Sequence, residues 1–152
     1  MAKVSATPGK TQLINFFRIN DAWKIVDLPG YGYAHVDRNT RADFNEAVAD
    51  YLEERENLRG VFVLIDSRLP PQRIDLDFLR WLSDTGVPHV LVFTKADKQS
   101  AQQTHNNINL FKASMTEWRA TAPEIFTSSI KTKKGRSEIL TFIEGWRKAD
   151  VA

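Results

Sequence analysis

Two short, unbroken apolar runs separated by a helix-period segment constrain this chain most. Val61 to Ile65 is continuously apolar and ends in Asp66, and Val90 to Phe93 repeats the pattern before Thr94. Such runs suit strands covered on both faces, as in parallel sheets. Between them Leu76, Leu79 and Leu82 fall at helical spacing, and Gly86 supplies a stop. The expected class is therefore α/β, with a mostly parallel sheet and helices on both faces. In such sheets ligands bind beyond the carboxyl ends of the strands, so chemistry is sought there.

The rest of the chain extends the alternation. Leu13 to Ile19 and Trp23 to Asp27 read as strands joined by a turn at Asn20-Asp21. Phe44, Val48, Tyr51 and Leu52 place a helix, with Thr40 and Asp43 as a capping box at its start. Ser100 to Trp118 reads as a helix carrying Ile108, Phe111, Met115 and Trp118 on one stripe. Glu124 to Thr127 is a short last strand, and Ile139, Leu140, Ile143 and Trp146 mark a final helix. A length of 152 residues suits one core, so a single domain, 1–152, is expected.

Composition narrows the function classes. There is no cysteine, which removes disulfides and thiolate metal sites. His35, His89 and His105 have no carboxylate or cysteine neighbours at metal spacing, so no histidine metal site is expected. No apolar run reaches membrane-spanning length, and no apolar leader follows Met1; a cytoplasmic protein without membrane attachment is expected. A net charge of +2 permits a nucleic-acid partner without requiring one. Lys131, Lys133, Lys134 and Arg136 are the densest basic cluster, either a solvated loop or an RNA contact. Trp81, Trp118 and Trp146 lie among apolar stripes and are expected to pack the core.

Three polar clusters follow three of the strands: Asp27-Leu28-Pro29-Gly30, Thr94-Lys95-Ala96-Asp97 and Ser128-Ser129-Ile130-Lys131. A fourth, Thr7 to Gln12, precedes the hairpin. An Asp at a strand end can hold a Mg²⁺-bound water, and Gly30 lets its backbone N–H approach a γ-phosphate. The Asp97 carboxylate offers paired acceptors to the adjacent N–H and NH₂ donors of guanine, which adenine does not present. The Lys95 stem can cover the base face with its ammonium in solvent. Thr11 has a hydroxyl for the metal and an N–H for the γ-phosphate. Ser128 and Ser129 can offer backbone N–H groups to the guanine O6. Singly these motifs are weak; their order, spacing and placement after strands carry the reading.

On these residues the chain resembles the EngB family of bacterial GTPases. The string Asp27-Leu28-Pro29-Gly30-Tyr31-Gly32-Tyr33-Ala34 is close to diagnostic, and Thr94 to Lys98, Thr7 to Gln12 and Asp66-Ser67-Arg68 match as well. The resemblance implies a Ras-like, phosphate-loop GTPase fold with GTP or GDP and Mg²⁺ as cofactors. It implies a role in assembly of the large ribosomal subunit, and thereby in growth, cell division and septation. The implied nucleotide-contacting residues are Gly9, Lys10, Thr11, Gln12 and Leu13; Asp27, Leu28, Pro29 and Gly30; Thr94, Lys95, Ala96 and Asp97; and Thr127, Ser128 and Ser129. Thr11 corresponds to the switch threonine on Mg²⁺, and Tyr31 to Arg38 to a segment that orders with nucleotide. The implied partners are guanine nucleotide and the large subunit or its rRNA, met through the basic cluster, with the protein a monomer.

Two departures matter. The family's Gly-x-x-x-x-Gly-Lys-Ser is absent from these residues, because Val4 stands where the leading glycine before Gly9-Lys10-Thr11 would be. The first strand and first helix are therefore expected to lie before residue 1, and the 152-residue chain is expected to bind GTP poorly, with the Asp27 and Val61 strands each left an unpaired edge. Where Ras-type enzymes carry a water-orienting Gln, this chain has Tyr31, so no catalytic base is assigned. The rival is a non-enzymatic ribosome- or RNA-binding module that has lost nucleotide.

Overall fold

The computed structural model describes residues 2–5, 14–28, 30–31 and 46–149. Contacts divide the chain into two units, residues 1–55 and 56–152. In the first, β1 (Ala2–Ser5), β2 (Ile14–Ile19) and β3 (Trp23–Asp27) form an antiparallel sheet in the order β1-β2-β3. The β2–β3 hairpin sets Phe16 opposite Val26 and Ile19 opposite Trp23. Its turn residues, Asn20 and Asp21, have φ of 52° and 53°. With Ile19 opposite Trp23 the loop has three residues, Asn20 to Ala22, closed by Ala22 N–H donating to Ile19 O at 2.9 Å; Asn and Asp tolerate the left-handed region best among non-glycines. Helix α1 (Glu46–Glu54) buries Val48, Ala49 and Leu52. Tyr51 meets Phe16 with ring centroids 6.4 Å apart, and the Arg55 guanidinium lies 4.8 Å from the Tyr51 ring.

Strand β1 was not expected from the sequence. Ala2 pairs with Phe17 and Ser5 with Ile14, so a hairpin becomes a three-stranded sheet. Ala2-Lys3-Val4-Ser5 alternates apolar and polar, but four residues are too few for the pattern to stand out; pairing with the free edge of β2 makes them a strand. The capping pair Thr40 and Asp43, Phe44, His35, Gly9 to Leu13 and Pro29 lie outside the described residues, as does the 31–38 segment after Tyr31.

In the second unit, β4 (Val61–Asp66), β5 (His89–Thr94) and β6 (Ile125–Thr127) form a parallel sheet in that order. Helices α2 (Arg73–Thr85), α3 (Ala101–Met115) and α4 (Arg136–Lys148) complete it. The register runs from Val61 opposite His89 to Asp66 opposite Thr94, so the polar strand ends lie side by side. Helix α2 stops at Gly86, whose φ of 75° is the left-handed cap expected there. Ser100 caps α3 by accepting from the Gln103 N–H at 3.1 Å.

Side chains of β4 alternate between faces. Val63 and Ile65 are buried with Leu91 and Phe93 of β5. Phe111 of α3 closes on Phe93 edge-to-face at 5.2 Å, and both are fully buried. Each such ring contributes about 2–3 kcal/mol through burial. On the other face Phe62 meets Trp146 at 5.2 Å, and Phe142 meets Phe126 at 5.4 Å, which places α4. Helices thus cover both faces of this sheet.

Three local expectations need correction. The Val61–Ile65 run is not covered throughout: Leu64 is 62% exposed, although Phe62, two residues earlier on the same face, meets the α4 rings. In α4, Leu140 is half exposed, and Phe142 takes the inward position with Trp146. Helix α3 ends at Met115, so Trp118 lies beyond it, its Nε1 buried without an acceptor among the described residues. Strands β3 and β4 are each an edge of a separate sheet, and among the described residues no strand pairs the two.

Candidate functional site

The carboxyl ends of β5 and β6 are stitched together by backbone. Ser128 N–H donates to Phe93 O at 2.8 Å, and Ala96 N–H donates to Ser128 O at 3.0 Å. Thr127 ends β6 opposite Phe93. After Thr94 the chain turns at Lys95, which has φ 59° and ψ 35°, into a short 3-10 helix, Ala96–Lys98. A lysine in the left-handed region is uncommon. The Ala96 bond holds this turn from outside, and Lys98 N–H to Lys95 O, 3.0 Å, holds it from within.

This turn presents Asp97 to the loop after β6. The Ser129 hydroxyl donates to Asp97 Oδ1 at 2.7 Å. Ser129 is buried, and its Oγ accepts from the Thr132 N–H at 3.1 Å. Asp97 Oδ2 lies 3.9 Å from Lys98 Nζ. The Ser129 hydrogen bond is the main cause that holds the Asp97 carboxyl below its ordinary pKa, and the charges of Lys98 and Lys131 add to it. The result is a fixed, ionised acceptor pair at the end of a buried strand.

The serine amides are otherwise engaged. Ser128 N–H is bound to Phe93 O, and Ser129 N–H donates to Lys134 O at 3.2 Å. Their expected role as donors to a guanine O6 does not fit these bonds. The next amide, Ile130 N–H, has no acceptor among the described residues, and the residue is 98% exposed. The loop returns through Gly135, whose φ is 83° and where a Cβ would sit 2.0 Å from Thr127 O. Lys131, Lys133, Lys134 and Arg136 are all exposed beside this loop. Asp27 ends β3 with an exposed side chain; Leu28 and Gly30 follow it, and Gly9 to Leu13 and Pro29 lie outside the described residues.

Comparison with known proteins places the chain. The family profile for 50S ribosome-binding GTPases matches residues 1–95. The "Probable GTP-binding protein EngB" of Christiangramia forsetii is 47% identical over 145 residues, covering 95% of this chain and 73% of that protein. The chain belongs to the EngB family of GTPases. The EngB protein of Bacteroides thetaiotaomicron is 46% identical over 144 residues, covering 95% of this chain and 71% of its own. Among solved structures, apo elongation factor SelB of Methanococcus maripaludis superposes with a TM-score of 0.65 at 15% identity, over 89% of this chain and 28% of SelB. The cytosolic domain of the T. maritima FeoB iron transporter gives 0.60 at 16% identity, over 97% of this chain and 54% of that one. These two likenesses show the fold, a phosphate-loop GTPase fold.

Within this EngB chain the sequence left one cluster without a role. Asp66 at the end of β4 accepts from Arg68 Nε at 3.0 Å and Nη2 at 2.7 Å, and Lys95 Nζ lies 3.4 Å from its Oδ2. The Arg68 fork is the main reason its carboxyl stays well below the usual range. The Asp-x-Arg pattern was visible in sequence; its junction with Lys95, 29 residues on, was not.

Proposed function

We propose that residues 1–152 belong to one GTP-binding, GTP-hydrolysing domain that reads the guanine base with Asp97. The observation that carries this reading is the Asp97 carboxylate fixed by the Ser129 hydroxyl at 2.7 Å; Lys95 lies two residues before it, and the Ile130 N–H has no acceptor among the described residues. Guanine presents two adjacent donors and a carbonyl, and this set answers them with a carboxylate and an N–H. Adenine, with its donor and acceptor reversed, leaves both unmet. Lys95 covers the base face, and Thr94, Ala96 and Thr127 hold the two loops in place.

The exposed Asp27 carboxylate can accept a hydrogen bond from a Mg²⁺-bound water, and Thr11 would offer the ion a hydroxyl. Bound there with GTP, the ion would neutralise phosphate charge during in-line attack by water. By family resemblance, Gly9 to Leu13 and the amides of Leu28 and Gly30 would face the γ-phosphate, with Pro29 between them carrying no N–H. With Tyr31 after the Asp-x-x-Gly, hydrolysis is slow until a partner completes the site. The partner we infer is the large ribosomal subunit or its precursor in the cytoplasm, met by a monomer through Lys131, Lys133, Lys134 and Arg136. Family membership and the exposed basic loop support this, and growth, division and septation follow from it.

No Gly-x-x-x-x-Gly-Lys-Ser occurs in the 152 residues, so this polypeptide alone holds nucleotide weakly, mainly by the base. Titration with fluorescent GDP and ADP tests the reading. GDP should bind better than ADP, Asp97→Ala should erase the difference, and fusing the phosphate-loop segment of a curated relative ahead of residue 1 should tighten both. Equal affinity for GDP and ADP in the unaltered chain would overturn it. If rRNA binding then persisted, the second reading, a ribosome-binding module without nucleotide, would stand.

A further inference from the structure

We propose that Asp66, clamped by Arg68, is a positioning residue for Lys95: it holds the lysine in the place from which its stem covers a purine face. The inference rests on the guanine reading above and adds a residue to it.

The register brings the groups together. Asp66 is the last residue of β4 and pairs with Thr94, one residue before Lys95. The turn after Asp66 is fastened to the Lys95 loop from several sides. Buried Ser67 donates its N–H to Thr94 O at 3.0 Å, and its carbonyl accepts from Gln99 Nε2 at 2.5 Å and from Asn107 Nδ2 of α3 at 2.9 Å. Thr94 Oγ1 donates back to Ile65 O at 3.3 Å. Asp66 therefore cannot drift from Lys95 without breaking bonds to two neighbouring segments.

Charge and distance indicate orientation rather than a surface ion pair. The Arg68 fork and its backbone N–H at 3.0 Å occupy the Asp66 carboxylate. Lys95 receives only a long contact, 3.4 Å, and its side chain stays 54% exposed. A contact of that length narrows the lysine's rotamers while leaving the stem free to lie over a ring. Two cations around one carboxylate leave a net positive charge, which favours a π-face beside it. A long, unrestrained lysine loses rotamer freedom when it closes on a ligand; one restrained beforehand loses less.

The effect must differ from that of Asp97. A stem over the base face does not distinguish purines, so Asp66→Asn should weaken GDP and ADP alike, on the order of fivefold, with their ratio unchanged. In a Lys95→Ala background the same change should have no effect. Asp66→Glu, which keeps the charge, should restore part of the affinity. Binding is followed by NMR on the 152-residue chain up to millimolar nucleotide, and the Lys95 Cε–H signal is read without nucleotide. That signal should move to the position of a solvated lysine in Asp66→Asn. An unmoved signal, or a moved signal with unchanged affinity, overturns the proposal. So does an equal loss in the Lys95→Ala background, which would mark a structural effect. If the signal moves as expected while the unaltered chain binds GDP no better than ADP, the guanine reading has failed, and this inference falls with it.

Discussion

The Ser129 hydroxyl, in the loop after β6, donates a 2.7 Å hydrogen bond to Asp97 Oδ1, in the loop after β5. It aims a carboxylate that its own short helix would leave free to rotate. Removing Asp97 deletes the acceptor; removing the Ser129 hydroxyl only frees its aim. With a phosphate loop fused ahead, Asp97→Ala should cost about 2–3 kcal/mol of GTP binding, because the base donors are left unmet. Ser129→Ala should cost roughly 1 kcal/mol. Calorimetry checks both, and equal losses would contradict this division of roles.

The same bond sets a pH response. Asp97 must be ionised to accept from guanine, and its folded pKa lies below the ordinary value, chiefly through Ser129. Its contribution is present above the ordinary carboxylate range and is lost as pH falls through the depressed folded value. GDP preference over ADP should therefore persist below pH 5, and Ser129→Ala should lose it at a higher pH than the unaltered chain.

His89 gives a stability response. Arg119 Nη1 donates to its Nε2 at 3.1 Å, which requires a neutral ring, and Nδ1–H donates to Val87 O at 2.7 Å. Burial, with a smaller part from the Arg119 charge, pushes its pKa below the ordinary value. The unfolded chain takes up the proton first, so this stability is full above about pH 6.5 and is lost as pH falls through the folded value. Melting temperature should fall by a few degrees from pH 7.5 to 5, and His89→Gln should flatten that part of the curve.

Gly135→Ala should be among the costliest small substitutions. The position has φ 83°, and a Cβ would stand 2.0 Å from Thr127 O. The clash falls on backbone, which cannot rotate away. A loss of about 2 kcal/mol or more is expected by denaturant unfolding, with loss of GDP preference because the Ser129 loop must shift.

Gly60→Ala tests the other end of the sheet. Its Cβ would come 2.3 Å from the Trp146 ring. Trp146 must then leave Phe62 and Phe142, at a cost of about 1–3 kcal/mol. Tryptophan fluorescence should shift, and the ratio of GDP to ADP affinity should not.

Much of the fold was legible because it depends on local periodicity. The unbroken runs at Val61 and Val90, the leucines of α2 and the stop at Gly86 each act through their own neighbours. The weaker elements were not. Ala2–Ser5 becomes a strand by adding to β2, and Leu64 stays exposed within an otherwise apolar strand. An apolar run announces burial on average and does not say which of its residues will lack a cover.

The candidate site divides in the same way. Sequence alone determined which chemistry is present: a carboxylate, a lysine and serines in fixed order after strands, the pattern that marks the family. Only the tertiary structure decided how those groups are used. It committed the Ser128 and Ser129 amides to protein carbonyls, left the Ile130 amide without an acceptor among the described residues, and set Ser129 Oγ on Asp97 and Asp66 beside Lys95. The Ser129–Asp97 and Asp66–Lys95 pairings join residues 32 and 29 positions apart, and the parallel register that aligns Asp66 with Thr94 and Phe93 with Thr127 is what makes them neighbours. Spacing along the chain carries no information about that alignment, because it is fixed by helices packing on both faces of the sheet.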